Sequence, residues 1–173
     1  MSAGAQAAAS PRTMLLLDTN VWLDHYLAAR PGHDDATALI EHALHVDMPL
    51  LYAMHTAHDV FYLIGAILKR AVREERGSVG EQDALAIRAI AWACVENMQD
   101  IATGVGADGM DIRLALKRRT FAPDLEDGLI AQAALRAGAR YLVTSDKQLL
   151  AHADVAALCP ADMLALLRTD TLC

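Results

Sequence analysis

The chain has 173 residues, 54% hydrophobic and 21% charged, which is enough apolar material for one domain's core and too much for a disordered chain. A net charge of -7 and a pI ≈ 5.4 exclude a general nucleic-acid coat protein, which would be basic overall. They do not exclude an enzyme whose catalytic carboxylates make the sum negative while a basic rim holds phosphates.

The first residues, MSAGAQAAASPR, are small and Ala-rich and lack the basic start and Leu-rich middle of a signal peptide. They read as a flexible tail over 1–12, ahead of a single domain over 13–168, with Met14 a candidate start. Thr13 to Leu17 is a short apolar run ending in Asp-Thr-Asn, the pattern of a strand buried on both faces. Val21 to Ala28 has helical spacing and stops at Pro31-Gly32. Asp34 or Asp35 caps a helix running to about Val46, and Pro49 to Ala53 forms a second strand. Over Thr56 to Arg73, Val60, Leu63, Ile64, Ile67 and Leu68 make a helical stripe. Glu81 to Met98 is an Ala-rich helix with Ser78 as its candidate cap.

Asp100 to Thr103 reads as a brief strand, Gly104 to Gly109 as a glycine-rich turn, and about Met110 to Lys117 as a helix. Asp124 starts a helix from Leu125 to Ala137 that Gly138 ends. Tyr141 to Thr144 is a strand, Val155 to Leu158 a last short one, and Pro160 opens a final helix. Alternating strands and helices imply an α/β domain: a central, mainly parallel sheet with helices on both faces. The three cysteines, Cys94, Cys159 and Cys173, show neither Cys-x-x-Cys spacing nor an even disulfide set, which points to a reducing cytoplasm. No apolar run is long enough to span a membrane.

Ligand sites in open α/β sheets collect outside the carboxyl ends of strands. Asp18 stands at the end of the first strand and Asp146 just past the end of the Tyr141–Thr144 strand. Asp127 is in the first turn of the helix leading into that strand, and Asp59 is early in the helix after the second strand. Singly, each has a purely structural explanation, as a cap or a partner of a helix dipole. Their coincidence at strand ends points to chemistry.

The segment LLLDTNVWLDHYL resembles the opening of PIN domains, whose first strand ends in Asp-Thr-Asn or Asp-Thr-Ser. The segment DLEDGLIAQAALRAGARYLVTSDKQLL resembles their closing motif, an acid-opened helix followed by a strand ending in Thr-x-Asp. The resemblance runs from Met14 to Leu167. It implies a three-layer α/β/α domain and a ribonuclease dependent on Mg²⁺ or Mn²⁺, and many bacterial members look like VapC-like toxins of toxin–antitoxin pairs. By motif position the metal-binding acids are Asp18, Asp127 and Asp146, with Asn20 and Thr144 supporting them. Members usually carry a Glu in the helix after the second strand; here the only acid there is Asp59, one methylene shorter, taken as the fourth catalytic acid. Asp124 and Glu126 flank Asp127, the first as a helix cap and the second as a supporting or solvated acid.

The chemistry of the residues agrees with the resemblance. Carboxylates drawn together raise one another's pKa unless a cation intervenes. Mg²⁺ and Mn²⁺ prefer oxygen ligands, lower the pKa of water and offset charge on phosphate oxygens. His55 and His58 near Asp59 lack a zinc pattern, Cys94 reads as core, and Gly104–Gly109 lacks the Lys-Ser/Thr of a phosphate loop. Lys117, Arg118 and Arg119 form a basic cluster before the acidic helix that is placed to hold RNA; Lys69, Arg70 and Arg73 form a second. The expectation is therefore an endoribonuclease acting on RNA, with a small antitoxin as partner. The alternative is a PIN-like module that has lost turnover and acts through binding. The apolar surface of the helices over 56–73 and 81–98 exceeds what one sheet face can cover, which suggests a homodimer.

Overall fold

A computed structural model describes residues 13–120 and 124–170 of the protein. The expected tail over 1–12 and Cys173 lie outside the described residues. The elements are β1 (Leu15–Leu17), α1 (Thr19–Tyr26), α2 (His33–His45), β2 (Leu50–Ala53), α3 (Met54–Arg76) and α4 (Glu81–Ile101). They continue with β3 (Thr103–Val105), α5 (Gly109–Arg118), α6 (Leu125–Ala137), β4 (Tyr141–Val143), α7 (Lys147–His152), β5 (Ala157–Leu158) and α8 (Pro160–Asp170). All strand pairs are parallel, in the order β3-β2-β1-β4-β5.

Strand alternation builds two cores. Leu15 and Leu17 of β1, Leu50 and Tyr52 of β2 and Val143 of β4 join a cluster with residues of α1, α2, α3, α4 and α8. Leu16, Leu51, Ala53 and Leu142 point the other way, onto Ile130, Ala133 and Ala134 of α6 and Leu149 of α7. The topology gives the reason. From β1 to β3 the chain winds one way across the sheet, and from β3 through β4 to β5 it winds back. Right-handed crossovers then put the connecting helices on opposite faces. The result is the expected α/β fold, a parallel sheet flanked by helices.

Three local expectations change. Asp34 and Asp35 lie in the first turn of α2, whose N-cap is Gly32 with no side-chain cap. The cap of α4 is Gly80, closed by Asp83, and not Ser78. Helix α4 runs through Asp100 to Ile101, so the third strand begins at Thr103 and takes in Gly104, which the sequence pattern places in a turn. A Cβ at Gly104 would lie 3.1 Å from the Tyr52 ring and 3.0 Å from Met54 Cε, so the glycine lets β3 close on β2. Helix α7 is unanticipated; Asp146 caps it by accepting from the amides of Gln148 and Leu149.

Helix α6 carries Asp127, so its seating against α5 sets where that acid stands. The two helices are clamped by Arg136, which donates to both oxygens of buried Asp111 at 2.9 and 2.8 Å and pairs with Asp108 at 2.8 Å. They also approach closely: a Cβ on Gly128 would fall 2.9 Å from Ala115 Cβ. Overpacking costs about 1–3 kcal/mol, whereas alanine recovers about 1 kcal/mol of helix propensity. Gly128→Ala should therefore lower stability by about 0–2 kcal/mol, while Gly128→Val should lower the melting temperature by several degrees more. Thermal denaturation of the two variants checks this, and a neutral valine would show that the helices are not in close contact.

Candidate active site

Strand order reverses between β1 and β4, and such a switch point leaves a crevice at the carboxyl ends of the two strands. Both strand ends deliver polar groups there. Asp18 follows β1 and Thr144 follows β4; both are buried. Asp18 Oδ1 accepts from the Thr19 amide at 2.6 Å. Its Oδ2 accepts from the Thr144 hydroxyl at 2.6 Å and from Asn20 Nδ2 at 2.7 Å. Thr144 Oγ1 in turn accepts from the Asp146 amide at 2.9 Å, and Asn20 Oδ1 accepts from the Ser145 amide at 3.1 Å. A compact network thus ties Asp18 to the start of α7. Three donors aim at Asp18 and favour its ionised form. Burial opposes them and, reinforced by Glu126 and Asp127, lifts its pKa to about 7.

Asp127 stands half-buried in the first turn of α6. Burial first, then the charges of Asp146, Asp124 and Glu126, raise its pKa to about 6. Asp124 is the N-cap, its side chain accepting from the Glu126 amide at 2.8 Å. Glu126 Oε1 accepts from the Thr19 hydroxyl at 3.0 Å, and that hydroxyl lies 3.4 Å from the hydroxyl of fully buried Thr56 in the first turn of α3. Asp127 thus links the group electrostatically: it adds to the field on Asp18, and Asp146 adds to the field on Asp127. A cavity of ≈ 20 Å³ beside it, room for about one water, has Arg118, Gln132, Gln148 and His152 in its wall.

A PIN-domain family model matches residues 14–148, a span that holds Asp18, Asp127, Asp146 and the whole network around them. The chain belongs to the PIN-domain family. No curated protein matches it significantly. PIN domains have a nuclease-type fold, are generally nucleases and typically use divalent metals. The site of this PIN domain suits such an ion by its donor chemistry. The donors are carboxylate oxygens, and no cationic side chain is among the groups that shift Asp18 or Asp127. Among the described residues there is no ready-made group of three or more His, Cys, Asp or Glu ligands. What the fold supplies is a set of carboxyls close enough to raise one another.

Among the described residues Asp59 makes no hydrogen bond to this network. Helix α3 starts at Met54 and not near Thr56, which moves Asp59 into the second turn. Its Oδ1 accepts from His58 Nδ1 at 2.9 Å, and Asp59 is not among the charges that raise Asp18 or Asp127. Thr56 is the α3 side chain that reaches the group, and neither it nor Thr19 is singled out by sequence reasoning. The signal for Thr19 is its place as the middle residue of Asp-Thr-Asn; Thr56 gives none. Of the basic cluster, Arg118 pairs with Asp154 and walls the cavity beside Asp127. Lys117 and Arg119 are exposed at the end of α5.

The raised acids fix a pH dependence. In the unfolded chain Asp18 and Asp127 titrate near 3.8; in the folded protein they titrate at about 7 and about 6. Between these values the folded state binds more protons, so stability falls as pH rises from about 4 to 7. The metal-free protein should melt higher at pH 5 than at pH 7.5, and Asp18→Asn should flatten that slope. Millimolar Mg²⁺ or Mn²⁺ at neutral pH should raise the melting temperature, by the equivalent of about 2.7 kcal/mol at 100 times its dissociation constant. Calorimetry across pH, with and without metal, reads both effects. A melting temperature rising with pH in the metal-free protein would contradict the assignment.

Proposed function

We propose that this PIN domain is a metal-dependent endoribonuclease that hydrolyses RNA phosphodiester bonds in the cytoplasm, and that it is the toxin of a toxin–antitoxin pair. One observation supports the nuclease reading: Asp18 and Asp127 gather with neighbouring acids at the sheet's switch point, raised by burial and by those acids, with no described cation among the groups that shift them. The toxin reading and its small antitoxin partner rest on the resemblance of the two end motifs to such toxins.

In this reading Asp18, Asp127 and Asp146 hold Mg²⁺ or Mn²⁺. The ion supplies positive charge against the phosphate oxygens and makes water more acidic. Thr144 and Asn20 hold the Asp18 carboxylate in one orientation, and Thr144 also fixes the Asp146 backbone. Glu126, held by the Thr19 hydroxyl, adds its carboxyl to the field on Asp18 and Asp127. Arg118, with Lys117 and Arg119 beside it in sequence at the end of α5, is placed to take a phosphate next to Asp127. Asp59 contributes from outside the network.

A second reading, a PIN-like module without turnover, draws support from the lack of a ready-made three-ligand group among the described residues and from the lack of a hydrogen bond between Asp59 and the network. Incubation with a mixed RNA pool and Mn²⁺ distinguishes the two. The wild type should cleave, and chelation should stop it. Asp18→Asn and Asp127→Asn should each lower the rate by about two orders of magnitude or more. Asp59→Asn should lower it less. Expression of the wild type should arrest bacterial growth, and Asp18→Asn should relieve the arrest. RNA left intact by the wild type at saturating Mn²⁺ would favour the binding module.

A further inference from the structure

Helices α3 and α4 form a long hairpin that the rest of the fold covers only sparsely. Of α3, only Thr56, Val60 and Ile64 are buried; of α4, only Ile87, Ala91 and Met98. Between the two helices lies a cleft of ≈ 560 Å³ whose walls include Phe61, Tyr62, Lys69, Arg73, Ile87 and Arg88. Two properties set it apart from an ordinary apolar groove.

The first is charge. The chain carries a net charge of -7, yet three cations converge on this cleft. Lys69, Arg73 and Arg88 make no ion pair with any described residue, whereas their neighbours Arg70 and Arg76 are neutralised by Glu74 and Asp83. Lys69 and Arg73 are one turn apart on the same face of α3, about 6 Å along its axis. Unpaired cations held in a row in an acidic protein fit a polyanion.

The second is aromatic. Tyr62, in the cleft wall, is 61% exposed; Trp92, outside the wall and 54% exposed, lies against the wall residue Phe61 with ring centroids 4.8 Å apart. Exposed rings beside free cations are the elements of a single-strand nucleic-acid platform, where bases stack and phosphates are neutralised. The direction of α3 links this platform to the acids. Its first turn carries Thr56, which meets Thr19 beside Glu126. The cleft begins at Phe61 and runs toward the far end of the helix, with Arg73 about 26 Å from Thr56 along the axis.

We infer that the α3–α4 cleft is a binding track for single-stranded RNA, in which Lys69, Arg73 and Arg88 hold phosphates and Tyr62 and Trp92 stack bases. This rests on the ribonuclease reading above and extends it: substrate is gripped at a distance from the acids, so recognition favours long, unpaired RNA. A second copy of the chain is the competing occupant. A two-fold pairing across this cleft would take the three cations of both copies out of water into one interface, and that desolvation cost disfavours it.

The test is binding without catalysis. A labelled single-stranded RNA oligonucleotide is titrated with the full chain in a metal chelator over a series of salt concentrations, followed by fluorescence anisotropy. The triple variant Lys69→Ala, Arg73→Ala, Arg88→Ala should lose about 2 from the slope of log affinity against log salt, near 0.7 per phosphate contact. Tyr62→Ala and Trp92→Ala should each weaken binding about tenfold or more with the slope retained. Arg70→Ala, already paired with Glu74, should leave the slope unchanged. Unchanged affinity and slope in the triple variant would overturn the inference. Such a result with a wild-type dimer on light scattering that Tyr62→Ala or Trp92→Ala dissociates would assign the cleft to a second copy instead. Because no metal is present, the binding result is independent of cleavage. RNA that binds through the cleft but is never cut with Mn²⁺ leaves the track standing and removes the nuclease reading.

Discussion

Burying the Asp18 carboxyl among other acids is the constraint on which the site depends. Its three hydrogen-bond donors favour a negative charge, while burial and the charges of Glu126 and Asp127 oppose one. A protonated Asp18 would accept poorly from one of its donors. An ionised Asp18 without a counter-charge would sit in an unfavourable field. A divalent cation would satisfy both demands, and the same cluster without one would be a poor structural device.

The rest of the fold holds this conflict in place. The parallel sheet ends β1 and β4 side by side, so Asp18 and Thr144 come from strands adjacent in space and distant in sequence. Helix α6 brings Asp127 in from one layer of helices. Its position is set by the close pass of Gly128 on Ala115 and by the Arg136 clamp on Asp111 and Asp108. Caps add to the acid count at little structural cost. Asp124 and Asp146 each satisfy helix amides while their charge still acts on Asp127. The same carboxylates serve the helices and the site.

The two faces of the sheet are used differently. On one, α6 and α7 carry acids to the crevice. On the other, α3 touches the site with Thr56 and then extends away, pairing with α4 and leaving apolar and cationic side chains open. A hairpin anchored at the acids and exposed along its length is suited to guiding a long ligand toward them.

Much of this was legible in the chain itself. Short continuous apolar runs marked β1, β2 and β4, the cap Asp124 marked the start of α6, and Pro160 at the first helical position marked the start of α8. The paired motifs around Asp18 and Asp146 pointed to side chains that the fold brings together, with Asn20 and Thr144 hydrogen-bonded to Asp18. These features are local, set by propensity, capping and the burial of a strand on both faces. The limits of α4 and β3 were not, because Gly104 belongs to a strand only where the Tyr52 ring closes against it. Nor were the meeting of Thr56 with Thr19 and the pairing of Asp59 with His58, which depend on where α3 begins and what packs against it. Strand order, the raised pKa of Asp127 and the unpaired state of Lys69, Arg73 and Arg88 depend on residues far apart in sequence meeting in space. Burial and charge neighbourhood are properties of the packed chain, and only the tertiary structure could decide them.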